Sequence, residues 1–250
     1  MDKADGSLQT AHPVILAVDT AGPVVGAALW SDGHVVEAWS ERVIRGADGV
    51  LSPAVAHLLA LADDPSGPTG GRSVTRLGVA AGPGGFTGLR VGLATVLGVA
   101  WTRSVPVVPV SSLAARANLI KAPRVLALLD ARKGRLYAGL FDTLGSTPVP
   151  IGPLMDVEPS AAMPEAPFVA VGEGTQVARA AIEAAGGTVA PNATMCAAGS
   201  LAQLTAEVVG TPGDGSGSIL NPEEVALHYL RRPDAKTLAE RGIVTGKKHR

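Results

Sequence analysis

A chain of 250 residues, 46% hydrophobic and 17% charged with a formal net charge of -1, can bury a core in two lobes of ordinary size, and it carries too little positive charge to coat a nucleic acid. Three Phe, three Trp and two Tyr are too few for an array of base-stacking platforms, and the single cysteine, Cys196, excludes an internal disulfide and fits a reducing compartment. Residues 1–12 lack the basic start and apolar stretch of a secretory signal, and no apolar run is long enough to span a bilayer, so a cytoplasmic protein with a flexible N-terminal tail and no membrane partner is expected.

Residues 14–33 read VILAVDTAGPVVGAALWSDG: an apolar strand ending at Asp19, a short turn, and a second apolar strand. Asp32-Gly33 supplies a hairpin turn into a third strand over 34–42, and a helix is expected over about 52–62. The stretch 63–73 (DDPSGPTGGRS) is a flexible connection. Residues 77–92, LGVAAGPGGFTGLRVG, then pass from strand to tight loop to helix start. In that loop Gly82, Gly84 and Gly85 allow positive φ or close backbone approach, Pro83 fixes one φ, and Thr87, after Phe86, can cap a helix over about 88–102.

The loop matches neither common phosphate cradle. A Walker loop needs a Lys after its last glycine, and Leu89 follows Gly88; a dinucleotide fingerprint starting at Gly82 meets Thr87 at its third glycine. The helix behind it is apolar around its whole circumference, with a small-residue stripe at Gly88, Gly92, Thr95 and Val99. Glycine inside a helix costs about 1 kcal/mol relative to alanine, so Gly92 and Gly98 need a packing reason, in this chain's own core or against a second helix. A strand over 105–110 follows, with Ser111 or Ser112 as the next cap.

Residues 125–145, VLALLDARKGRLYAGLFDTLG, repeat the pattern of the first two strands and place Asp130 where Asp19 falls in the first half. Strands near 125–129, 135–141, 149–155 and 168–171, a short helix near Pro159 and helices near 175–185 and 197–209 complete a looser second copy, interrupted by a flexible stretch at 210–218. Two such halves make a duplicated α/β protein of actin-like, ribonuclease-H-like (ASKHA) architecture. The first lobe spans 13–118 and the second 119–232, followed by a tail at 233–250 that ends in a short basic run.

A nucleotide commonly lies between such lobes, which makes Asp19, Asp130 and the glycines Gly172 and Gly174 of the VGEGT turn weak nucleotide-site candidates for a small-molecule kinase. Against that reading, Thr20-Ala21-Gly22-Pro23 is no glycine-rich phosphate hairpin, Arg132 and Lys133 follow Asp130, and strand-end aspartates are common turn formers. Arg132 can pair with Asp130 instead. His12, His34, His57, His228 and His249 include no i, i+4 pair and no compact acidic cluster, which gives no metal site. A peptidase lacks support, since neither Cys196 nor the serines sit in a recognisable nucleophile motif.

VDT at 18–20, GPGGFTGLRVG at 82–92, SSLAA at 111–115, LDARKGRLYAG at 129–139 and YLR at 229–231 together resemble the TsaB (YeaZ) family, over most of 14–141. Two departures stand out: Gly85 occupies a position where the family usually has serine, which leaves backbone fit as that position's job, and RGADG at 45–49 replaces an Arg-x-His-Ser-Glu run. The resemblance implies a non-catalytic subunit of the bacterial tRNA threonylcarbamoyladenosine complex. It would dimerise with and activate a TsaD-like transferase that modifies the adenosine beside the anticodon of tRNAs reading ANN codons.

The further partners implied are a TsaE-like ATPase, tRNA indirectly through the complex, and a second copy of the chain when the transferase is absent. No cofactor of its own is implied; ATP and a metal belong to the assembled complex. The implied contact is a helical bundle, with Leu51, Val55, Leu58, Leu59, Gly88, Leu89, Gly92, Val96 and Val99 as partner-binding residues. Gly82, Pro83, Gly84, Gly85, Phe86, Thr87 and Arg90 form a structural loop.

Overall fold

The computed structural model describes residues 13–43, 46–191, 194–209 and 218–231. The expected tails at 1–12 and 233–250, most of the flexible stretch at 210–218, and His12, Arg45 and His249 lie outside the described residues.

Two mixed sheets form the molecule. The first runs β3 (His34–Arg42), β2 (Val24–Ser31), β1 (Ile15–Asp19), β4 (Arg76–Gly82), β5 (Val107–Ser111). The path of the second is β11 (Thr188–Val189), β10 (Val169–Val171), β6 (Val125–Arg132), β7 (Arg135–Asp142), β8 (Val149–Pro150), with β9 (Met155–Val157) also on β7. The duplication read from the sequence is real at the level of pairing. β1 is antiparallel to β2 and parallel to β4, as β6 is to β7 and β10. Asp19 pairs in register with Gly26, and Asp130 with Leu136.

The helices are α1 (Ala47–Asp63), α2 (Phe86–Arg103), α3 (Ser112–Ala117), α4 (Thr175–Ala184) and α5 (Ala198–Glu207). Helices α1 and α2 cover one face of the first sheet, where Leu16, Val18, Leu51, Leu58, Val79 and Val96 make an outer core. The opposite face meets α3, α5 and the second sheet in a central core that includes Ile15, Ala17, Val108, Leu113, Val125 and Leu201. Helix α4 closes a third core on the outer face of the second sheet, with Leu126, Leu128, Ala178 and Ile182.

Several boundaries differ from expectation, each for a local reason. Helix α1 begins at Ala47, five residues early, because Gly46 takes the left-handed conformation (φ 76) that turns the chain into it. Helix α2 begins at Phe86, so Gly85 and not Thr87 is its N-cap, and Thr87 is exposed with no side-chain cap bond at this end. Ser111 does cap α3, its side chain accepting from the Ala114 N–H. The single strand expected over 149–155 is two short ones, β8 and β9, because Gly152 (φ 97) and Pro153 break the ladder after Pro150. Helix α5, expected as part of the second lobe, packs on the first sheet, where Gly78 gives room to Thr205 and Leu201.

Candidate functional site

The glycine loop is built around the turn that leaves β1. Gly85 N–H donates to the Ala21 carbonyl at 2.9 Å, and a Cβ on Gly84 would run into Ala21. Gly88 and Gly92 continue the same contact: a Cβ on either would overlap Thr20, at its carbonyl oxygen and its hydroxyl respectively. The small-residue stripe therefore lets α2 lie on its own strand end and faces inward. Gly85 itself is exposed with φ -63, and a Cβ there would come no closer than 3.7 Å to Ala21 O, so backbone fit does not require glycine at that position.

This packing corrects the expected partner face. Leu51, Val55, Leu58, Leu89, Gly92 and Val96 are buried in the chain's own core, and Gly88, Leu59 and Val99 are half-buried. The residues that α1 and α2 present outward include Ser52, Pro53, Ala56, His57 and Ala60 on the first helix, and Thr87, Arg90, Ala94, Gly98, Trp101 and Thr102 on the second. A Cβ on Gly98 would meet nothing within 4 Å, and Trp101 is 64% exposed. The two helices lie side by side, and Arg103 donates from both Nη atoms to the two oxygens of Asp63 at 3.0 and 2.7 Å, tying their C-terminal ends. An apolar circumference gives no phase by itself. The exposed residues at 87, 90, 94, 98, 101 and 102 mark the outward side of α2.

Asp19 proves to be an internal counter-ion. It is fully buried, accepts from the backbone N–H of Ala21 at 3.0 Å and of Ala197 at 3.3 Å, and pairs with Arg116 Nη1 at 3.1 Å. The Arg116 guanidinium, also fully buried, forks onto Glu173 at 2.8 and 2.9 Å and donates to Ser112 O at 3.0 Å. Burial works against its charge, but the Asp19 and Glu173 carboxylates outweigh that and hold it above the usual arginine range. Desolvation, with Asp19 alongside, pushes the thiol of half-buried Cys196 up to about 12.

The remaining nucleotide-site candidates are not brought together. Asp130 lines a cleft of about 480 Å³ between the lobes with Gly84, Gly85, Arg132, Tyr229 and others, but Asp19, Gly172 and Gly174 do not. Asp130 accepts from Arg132 N–H at 2.7 Å and pairs with the Arg132 side chain at 3.6 Å, the turn-forming role. Gly172 (φ 94) and Gly174 instead pack the β10–α4 turn onto the Leu128 backbone. Among the described residues no group of three His, Cys, Asp or Glu side chains could hold a metal. No described helix is long and apolar enough to cross a membrane.

Phe86 and Arg90 of the loop motif meet Tyr229 of the YLR motif. Arg90 lies over the Phe86 ring at 3.7 Å, its Nε donates to Tyr229 Oη at 3.3 Å, and the two rings are 5.3 Å apart. Sequence reading singled out both motifs without linking them, since 139 positions separate Arg90 from Tyr229.

The two-lobed duplicated sheet with α3 and α5 between its halves defines a protein of the actin-like class. The family model described as "TsaD: tRNA N6-adenosine threonylcarbamoyltransferase" matches residues 51–216. The chain is similar to the tRNA threonylcarbamoyladenosine biosynthesis protein TsaB of Escherichia coli K12, 37% identical over 130 residues, which are 49% of this chain and 52% of the relative. It is also similar to TsaB of Bacillus subtilis 168, 31% identical over 130 residues, or 51% and 54% of the two chains. It thus spans about half the length of the curated relatives it matches. YeaZ from Pseudomonas aeruginosa superimposes with a TM-score of 0.71 at 26% identity, over 87% of this chain and all of that one. The chain belongs to the TsaB/YeaZ family, within the wider family that the TsaD model describes.

Proposed function

We propose that this protein is the non-catalytic, TsaB-type subunit of a tRNA threonylcarbamoyladenosine-forming complex, docking a TsaD-like transferase through α1 and α2 and activating it. The observation that carries this reading is the pairing of a blocked reaction centre with an open helix face. Asp19, the strand-end carboxylate a nucleotide-bound metal would need, is neutralised by Arg116, while Ala94, Gly98 and Trp101 present small and aromatic surface outward. Small residues let a partner helix approach closely, and an exposed tryptophan is the residue type that most often anchors an interface.

On this reading the chain carries no cofactor of its own, and ATP and a metal act at the partner. A TsaE-like ATPase joins the assembly, tRNA is reached through the complex in the cytoplasm, and the same face pairs two copies of the chain when the transferase is absent. The independent small-molecule kinase loses its metal-binding aspartate to Arg116. Co-purification of the full chain with the TsaD-like protein of the same cell tests the proposal. Gly98→Arg should abolish the complex while the chain stays folded, and an unchanged complex would remove α1 and α2 as the docking face.

A further inference from the structure

Residues 218–231 touch three separate parts of the fold in succession. Leu220 exchanges two backbone hydrogen bonds of 2.9 Å with Val107 on β5, beside the buried Ile219. Further on, His228 N–H donates to Ala81 O at 2.7 Å, and its carbonyl crosses so close to Gly82 (φ 116) that a Cβ there would overlap it. Tyr229 then packs on Phe86 and Arg90 at the start of α2. Two residues later Arg231 reaches the second lobe. Its Nε and Nη2 donate to the two carboxylate oxygens of Asp156 at 2.7 and 2.8 Å, and its Nη1 to Ala131 O at 3.1 Å.

We infer that this strap is a clasp through which the second lobe fixes the first turn of the docking helix. Tyr229 and Arg231 are separated by about 7 Å of chain at most, so the anchor on Asp156 and the ring on Phe86 restrain one another. The first turn of α2 has no side-chain cap and no acidic residue, so it takes its order from what lies against it. Releasing Arg231 strands no buried charge, because Arg135 also binds Asp156 at 2.8 Å. An Arg231→Ala chain therefore keeps its fold and loses the anchor. The clasp deepens the docking reading and rests on it only for the partner measurement.

Amide hydrogen exchange, read by NMR on the full chain, tests it. Arg231→Ala should speed exchange about tenfold at the His228 amide, bonded to Ala81 O, and at the Leu89 amide, bonded to Gly85 O, and leave Leu58 in α1 unchanged. Tyr229→Ala should speed Leu89 by the same factor, and the double variant should be no faster than either alone. A Leu89 rate that stays at the wild-type value, or a double variant in which the effects add, would overturn the clasp. The affinity of Arg231→Ala for the TsaD-like partner should fall in parallel. Faster Leu89 exchange with unchanged affinity would leave the clasp standing and exclude the first turn of α2 from the docking surface.

Discussion

Arg116 and Glu173, 57 positions apart and on opposite sides of the lobe junction, share a buried bidentate ion pair. With Asp19 on the far side of the same guanidinium, one cation ties the end of β1, helix α3 and the turn before α4. The arrangement is geometrically complete, since every nitrogen of the guanidinium has an oxygen partner.

Breaking that triad should be costly. Arg116→Met leaves two buried carboxylates uncompensated and should lower stability by about 3–5 kcal/mol, read as a fall in the urea midpoint. The control is a triple variant that combines Arg116→Met with Asp19→Asn and Glu173→Gln, which removes all the charges together. If Arg116→Met alone is no worse than the triple variant, the charges are not coupled.

Two glycines of one helix should respond in opposite directions. Gly92→Ala forces a Cβ into Thr20 and should destabilise the chain by about 1–3 kcal/mol, whereas Gly98→Ala enters open space and should stabilise it by up to about 1 kcal/mol. Thermal unfolding of the two variants, compared with wild type, checks the orientation of α2 without any partner.

The docking face makes a separate prediction. Trp101→Ala should weaken a complex with the TsaD-like partner by about 2 kcal/mol, roughly thirtyfold, at unchanged stability, because the side chain is 64% exposed in the free chain. Leu58→Ala should do the reverse, costing about 2–5 kcal/mol of fold stability, since that side chain is fully buried on the inward face of α1. Equal effects of the two variants on both measurements would contradict the face described.

Asp156 should make stability depend on acid. The Arg231 hydrogen bonds hold its carboxyl below the ordinary value of 3.8, against partial burial, with Arg135 adding to the effect. Because the folded chain binds this proton less readily than the unfolded one, the contribution is complete above about pH 4 and is lost as pH falls through the lower folded value. Urea unfolding at pH 6 and pH 3 should show a smaller loss in Asp156→Asn than in wild type; an equal loss would mean that the clasp carboxylate does not titrate this way.

Much of the fold was legible because it is written in local periodicity. The alternation of apolar strand, Asp and turn at 14–33 and again at 125–145 was enough to find both halves of the duplication, and the Asp32-Gly33 turn predicted β3. The candidate site was legible only as a set of residues. Gly88 and Gly92 carry the mark of a close approach, and composition cannot tell whether the approaching group is a partner's helix or Thr20 of the same chain. Asp19 carries the mark of a metal ligand, and only Arg116 and Glu173, brought in from 97 and 154 positions away, make it a counter-ion.

By itself the sequence determined the element types, the twofold repeat and the motifs that place the chain in its family, because strand, turn and helix signals act over a few residues. Tertiary structure alone decided which side of α2 faces outward, that Phe86, Arg90 and Tyr229 are one cluster, and that the strand-end carboxylate is silenced. Those outcomes depend on contacts between residues far apart in the chain, whose energies arise only once the two sheets have closed on a common core.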